Sequence, residues 1–297
     1  MSSFKRKENV SVGCRRLVCA ELESAIQALS RDTPRDNAAE AARAIAGARA
    51  AIELYAPALP RDILRRDRKR LDAIGKTLDQ ARLCRQLGNR LDKLVKRAGL
   101  NTGDALLKRL RKELAEHNEG KVALRTRGQR FDPMVYRLVA ELAELRGHVG
   151  LWPETPTTPD APPPGLAACY RSARFAATKA EQDKADPAAA YQPVVRLGIA
   201  LKLVNKCCPP MLKPQRAMLD AAAKPLAALL LDARLIEAAR QNKPLAGLAR
   251  TLADAATLDQ ADAAAKLAEA RQYALAETPQ AFANRIGAYW SAWRTPS

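Results

Sequence analysis

The side chains with the clearest chemical potential are cationic. The run Arg65-Arg66-Asp67-Arg68-Lys69-Arg70 is the densest basic stretch in the chain. It lies in a segment, residues 61–97, with 13 basic and 5 acidic residues. Helical spacing lets Arg61, Arg65 and Arg68 share one face, as do Arg82, Arg85, Lys93 and Lys96 further along. A planar guanidinium can hold two phosphate oxygens at once, so arginine at such spacing suits phosphate chemistry. No Phe, Trp or Tyr occurs between Tyr55 and Phe131. Binders of single-stranded nucleic acid stack bases on aromatic rings, worth about 1–3 kcal/mol per base. Only phosphate contacts are on offer from this region. It fits a ligand that is all phosphate, or a nucleic acid held by its backbone, better than base readout. A plain solvated helix face is the structural alternative for such a run.

The total charge agrees. The chain has 50 Lys and Arg against 32 Asp and Glu, a net charge of +18. The excess is concentrated in residues 1–152, with 32 basic and 19 acidic residues. Such a balance implies attraction to polyanions without choosing a fold.

Other chemistries lack their residues. No GxGxxG or GxxxxGK[ST] loop follows a strand, and no GxSxG elbow occurs. His117 and His148 have no metal-ligand spacing, and no pair of carboxylates stands out for acid–base work. The cysteines Cys14, Cys19, Cys84, Cys169, Cys207 and Cys208 contain no CxxC pair and read as buried free thiols. We therefore expect no enzyme, no cofactor and no metal site.

The elements that must position the cations read as helices. Alanine and leucine dominate the apolar content, aromatics are 4%, and β-branched runs are absent. Apolar residues at three–four spacing predict helices over 10–29, 38–55, 61–97, 102–117 and 131–149. The stretch from Lys121 to Arg130 is basic and poorly periodic and is expected to be helical only in part. Later helices are predicted over 166–184, 188–204, 209–240, 243–256, 258–275 and 279–293, with Pro193 expected to kink or delay its helix. Between the halves lies Trp152 to Gly165, with six prolines that forbid a helix. The expected architecture is all-α: a first helical half (1–151), a Pro-rich crossover (152–165) and a second half (166–297) with a comparable helix order.

Several stretches resemble the CHAD family, the conserved histidine α-helical domain. The segment from Ala274 to Arg294, ALAETPQAFANRIGAYWSAWR, is similar to that family's closing segment. Cys169-Tyr170-Arg171-Ser172-Ala173-Arg174 is similar to its YRxxR opening of the second half, and Ala140 to Arg146 resembles the end of a first half. Ala41 to Leu54 and Pro187 to Val204 fall where its two signature helices belong. The resemblance implies two similar four-helix-type bundles packed as one pseudo-twofold domain that binds inorganic polyphosphate. The sequence also departs from the family. Ala39 and Ala188 stand where the signature histidines are expected, and most of the following basic positions are lost. Arg49 and Lys202 match basic positions of those helices, and Arg196 lies beside a lost one. The family's Arg-Asp step appears as Arg82-Leu83, and its second copy is blurred at Asp232-Ala233-Arg234.

Charge and resemblance together give ten candidate binding residues: Arg43, Arg49, Arg65, Arg68, Arg82, Arg85, Arg171, Arg174, Arg196 and Lys202. Each would neutralise phosphate oxygens in a groove or channel between the halves. The expected partner is inorganic polyphosphate or a similar extended polyanion. The alternatives are a helical scaffold that kept the fold and lost the phosphate site, and a nonspecific binder of the nucleic-acid backbone. No secretory signal or apolar stretch of about 20 residues occurs. The expected location is the cytoplasm, with polyphosphate granules as the place the resemblance implies.

Overall fold

The computed structural model describes residues 3–31, 34–101, 103–119, 133–154, 161–182 and 186–295. Among these residues the fold is all-α, with no strand. The helices are α1 (Val10–Leu29), α2 (Pro34–Tyr55), α3 (Arg61–Arg97), α4 (Ala105–Glu119), α5 (Pro133–Gly150), α6 (Leu166–Gln182), α7 (Tyr191–Val204), α8 (Pro209–Gln241), α9 (Ala246–Tyr273) and α10 (Pro279–Arg294). None is long and apolar enough to cross a membrane.

Local signals explain where the helices begin. The Asn9 side chain accepts from the Ser11 amide at 3.0 Å and caps α1. Thr278 does the same for α10 through the Ala281 amide at 3.2 Å. Proline opens α8 at Pro209, where a missing N–H leaves no helical hydrogen bond unmade. A turn of 3₁₀ helix over Pro187–Ala190 delays α7 to Tyr191 and puts Pro193 in its first turn, where it is tolerated. α2 starts at Pro34, ahead of the expected start at residue 38. The two helices expected over 243–256 and 258–275 are one continuous helix, α9. Thr257, Leu258 and Asp259 include no glycine or proline to end it. The expected partial helix over 121–130 lies outside the described residues.

α1 packs along α2 and α5, and α2 packs on α3. In the second half α6 packs on α7 and α9, and α7 and α9 each pack on α8. α2 against α7 is the main contact between the halves, joined by α3 against α8 and α9. One apolar core therefore runs through both halves, from Leu22, Ile52 and Leu71 to Leu201, Leu226 and Phe282. A second, smaller core lies beyond it. The distal parts of α3 and α8 meet α4 and the first half of α9 around Leu91, Leu94, Leu110, Leu235 and Leu252. α3, at 37 residues or roughly 55 Å, passes through both.

The described ends of the proline-rich crossover are tied down. The Trp152 indole donates to buried Asp67 Oδ2 at 2.9 Å and stacks on Tyr55, with ring centroids 6.2 Å apart. Arg15 donates to the Trp152 carbonyl at 3.2 Å. At the other end the Gly165 amide donates to Leu54 O at 2.9 Å, taking a carbonyl that the end of α2 leaves open. Residues 155–160 of the stretch lie outside the described residues.

The Gly165 contact leaves no room for a side chain. A Cβ there would sit 2.8 Å from the Glu53 carbonyl carbon and 2.9 Å from Leu54 Cα, both backbone. Gly165→Ala should therefore cost about 3 kcal/mol, the upper range for overpacking. Gly247→Ala, with open space around its Cβ, should be neutral or slightly stabilising. Urea denaturation of the two variants checks this contrast; equal midpoints would contradict it.

Candidate functional site

The arginines expected to line a groove are organised by one stripe of α3. Arg68, Asp72, Gly75, Asp79 and Arg82 recur at three–four spacing and so share a face. Arg49 and Glu53, one turn apart on α2, meet that stripe. Arg49 donates to Asp72 Oδ1 at 2.5 Å and to the Leu71 carbonyl at 3.3 Å. Gly75 lets the Arg49 guanidinium lie close: a Cβ at that position would be 3.1 Å from Arg49 Nη2. Arg68 forms a two-pronged pair with Glu53, its Nε 2.8 Å from Oε1 and its Nη2 on Oε2. Arg82 lies 3.9 Å from Asp79, one turn back.

The second half reaches the same face. Burial pushes the Cys169 thiol up to about 11, aided by the Glu53 charge and opposed by Arg196 and Arg68. Arg196 of α7 and Cys169 of α6 therefore sit in the same neighbourhood as the Arg68–Glu53 pair. Tyr191, at the start of α7, has its phenol raised by burial and by Asp79, with Arg82 opposing. Four candidates, Arg49, Arg68, Arg82 and Arg196, are thus brought together. With them come three carboxylates: Glu53, Asp72 and Asp79. The signs alternate along the groove and nearly cancel.

The other candidates stand outside this arrangement. Arg43 is exposed on α2, its Nε donating to Ala39 O at 3.3 Å. Arg65 and Arg85 are exposed on α3, and Arg171 on α6. Arg174 is half-buried beside Tyr170, whose phenol burial pushes up to about 12. Lys202 is exposed in the last turn of α7. Ala188 is buried and Ala39 half-buried, and neither offers a group that could hold an anion.

A largely buried charge cluster lies elsewhere. Arg90 donates from Nε to Asp232 Oδ1 at 2.6 Å and from Nη2 to Oδ2 at 2.7 Å, and its Nη2 also reaches Asp259. Arg97 donates to Asp259 at 2.5 Å and to the Ala255 carbonyl at 3.2 Å. The cluster joins α3 to α8 and α9 where the two cores adjoin. Burial raises Asp259, but hydrogen bonds from Arg97 and Arg90 outweigh it and hold the carboxyl below its ordinary value. Sequence reading picked out Asp232 only as a blurred motif. Its partner, 142 residues earlier, carried no local signal.

A cavity of 1220 Å³ opens beside this distal core, lined by Leu83, Leu114 and Ile236 with Glu113, Glu237 and Arg240 on its rim. His148 Nδ1 lies 3.0 Å from Arg70 Nη1, which ties α5 to α3. Among the described residues no three His, Cys, Asp or Glu side chains gather as a metal site. All six thiols are free, but only Cys14 and Cys169 are buried; the other four are partly exposed, against the expectation of six buried thiols. No family model, curated protein or solved structure matches this chain.

The Arg90 cluster predicts an acid-sensitive distal core. Asp259 has a depressed folded pKa, so its contribution is complete above the unfolded value of about 3.9 and is lost as pH falls through the folded one. Asp259→Asn should lower stability near neutral pH and flatten the loss below about pH 4. Asp232→Ala, which strips Arg90 of its two-pronged partner, should cost about 3–5 kcal/mol. Urea titrations at neutral and acid pH measure both, and an unchanged acid limb in Asp259→Asn would contradict the assignment.

Proposed function

We propose that the protein is a non-catalytic binder of inorganic polyphosphate or a similar extended polyanion, acting in the cytoplasm. The observation that carries this reading is the surplus of +18 on a helical frame where Arg43, Arg65, Arg171 and Lys202 are exposed and have no ion pair among the described residues. Cations left without carboxylates can neutralise phosphates and so release the counterions condensed on the polyanion, and that release drives binding. The CHAD-like architecture belongs to the same reading. It is supported by the contact of α2 with α7, of α3 with α8 and α9, and of α8 with α4. Those pairings are what two similar halves related by a pseudo-twofold axis would make.

A second reading, a helical scaffold without a phosphate site, is favoured by one observation. Glu53, Asp72 and Asp79 occupy the arginines of the α2–α3 groove, so the groove itself carries little net charge. A third, binding to the nucleic-acid backbone, rests on the same surplus charge.

Titration with long-chain polyphosphate at rising salt separates the readings. Binding should be firm at about 50 mM salt and weaken by about a thousandfold or more by 200 mM if six or more phosphates are contacted. No binding at low salt, or binding indifferent to salt, would favour the scaffold. Equal displacement by duplex DNA would favour the nucleic-acid reading.

A further inference from the structure

One end of the molecule is nearly free of acidic residues. No Asp or Glu occurs from Pro187 to Leu219, nor from Thr278 to Ser297. The first range covers α7, the turn Asn205–Cys207 and the start of α8; the second covers α10. α10 packs against the Asn205–Cys207 turn, so the two acid-free segments meet.

The N-terminal segment is strapped across the same place. The Phe4 amide donates to Leu203 O at 3.1 Å, and the Phe4 ring packs edge-on against Trp290, with centroids 5.3 Å apart. Arg6 donates to the Thr295 carbonyl, and Arg294 to the Glu8 carbonyl. Gly13 makes room for the strap: a Cβ there would lie 2.6 Å from the Phe4 ring and 3.0 Å from Glu8 Oε1. The strap's one carboxylate, Glu8, is already engaged by Arg16 Nε at 2.8 Å and by the Lys5 amide at 2.5 Å. Of two other acids close by, Glu277 is paired with Arg285 at 2.7 Å and Asp220, beside Gly198 of α7, lies 3.6 Å from Arg216. Lys5, Arg6 and Lys7 are exposed on the strap, and Lys202 and Lys206 flank its anchor at Leu203.

We infer that this end is a docking surface for a chain of phosphates, centred on Lys5, Arg6, Lys7, Lys202 and Lys206. The inference rests on the polyanion reading above and gives it a place outside the charge-balanced α2–α3 groove. Its aromatic rings argue for phosphate alone. Phe4 and Trp290 are fully buried, and the half-buried Trp293 and Tyr289 are engaged by Trp290 and Arg285, so none of these rings is fully exposed for a base to stack on. An acyl chain finds no broad apolar contact here either, since Met211 is the one large apolar side chain exposed near the turn.

The test compares two variants with equal charge loss. One is Lys5→Gln/Lys7→Gln/Lys206→Gln; the other is Arg61→Gln/Lys69→Gln/Lys76→Gln on α3. All six side chains are exposed and carry no ion pair among the described residues. Long-chain polyphosphate is the probe, with vesicles of phosphatidylserine as the lipid arm. The strap variant should bind polyphosphate roughly a hundredfold more weakly, at about fivefold per cation. Its slope of log affinity against log salt should shrink by about two to three. The α3 variant should lose far less. Equal losses in both variants would overturn the docking surface while leaving polyanion binding in place. Failure of the unsubstituted protein to bind would overturn both. Binding of vesicles that polyphosphate cannot displace would assign the surface to lipid instead. Gly13→Ala supplies a second check, because displacing the strap should weaken binding without removing any charge. Unchanged binding in a folded Gly13→Ala protein would count against the strap as the site.

Discussion

The backbone contact between Gly165 and the end of α2 is the constraint on which the arrangement of the halves depends. A helix leaves its last carbonyls without intrahelical donors, and burying them unpaired is costly. Here the Gly165 amide takes the Leu54 carbonyl, and the approach is so close that only glycine fits. That contact starts α6 against α2. α7 then returns along α2, and the two halves share one core instead of closing separately. Trp152 secures the other end of the crossover by giving buried Asp67 a neutral donor in addition to its pair with Arg66. Prolines between these anchors limit the conformations the connection would otherwise sample when unfolded.

The same packing sets the fate of the charges. Because α2 lies along α3, Glu53 and Asp72 fall within reach of Arg68 and Arg49, and the groove that looked cationic in sequence becomes a ladder of alternating sign. Ion pairs of this kind are partly exposed and add little stability each. Their greater effect is to remove cations from the pool available to a ligand. The Arg90–Asp232–Asp259 cluster is different. It is buried and links helices from both halves, so it acts as a clasp for the distal core. Net charge then resides where acids are missing, on the outer faces and at the end strapped by Ser3–Asn9.

Much of the fold was legible in the sequence because helical periodicity and helix ends are local. The starts expected at Val10, Pro209 and Pro279 are the ones the structure keeps. The break expected between residues 256 and 258 is absent from α9, and Asp259, just beyond it, is where Arg90 and Arg97 meet the helix. The candidate groove was legible only in part. Spacing along α3 showed which arginines share a face, but pairing with Glu53 of α2 is a tertiary fact with no local trace. The basic strap was overlooked because it is not helical. Phe4 amid Ser3, Lys5, Arg6 and Lys7, with Gly13 on the adjoining face of α1, is the signal that an apolar anchor holds a cationic segment in place.

Packing decides which cations remain for a polyanion, by pairing those in the groove and sparing those at the acid-free end. Lysine reactivity tests this directly, by acetylating the folded protein with and without polyphosphate and reading each site by mass spectrometry. Polyphosphate should shield Lys5, Lys7, Lys202 and Lys206 while Lys69, Lys76 and Lys93 on α3 stay reactive. Uniform shielding of all lysines, or shielding confined to α3, would contradict it.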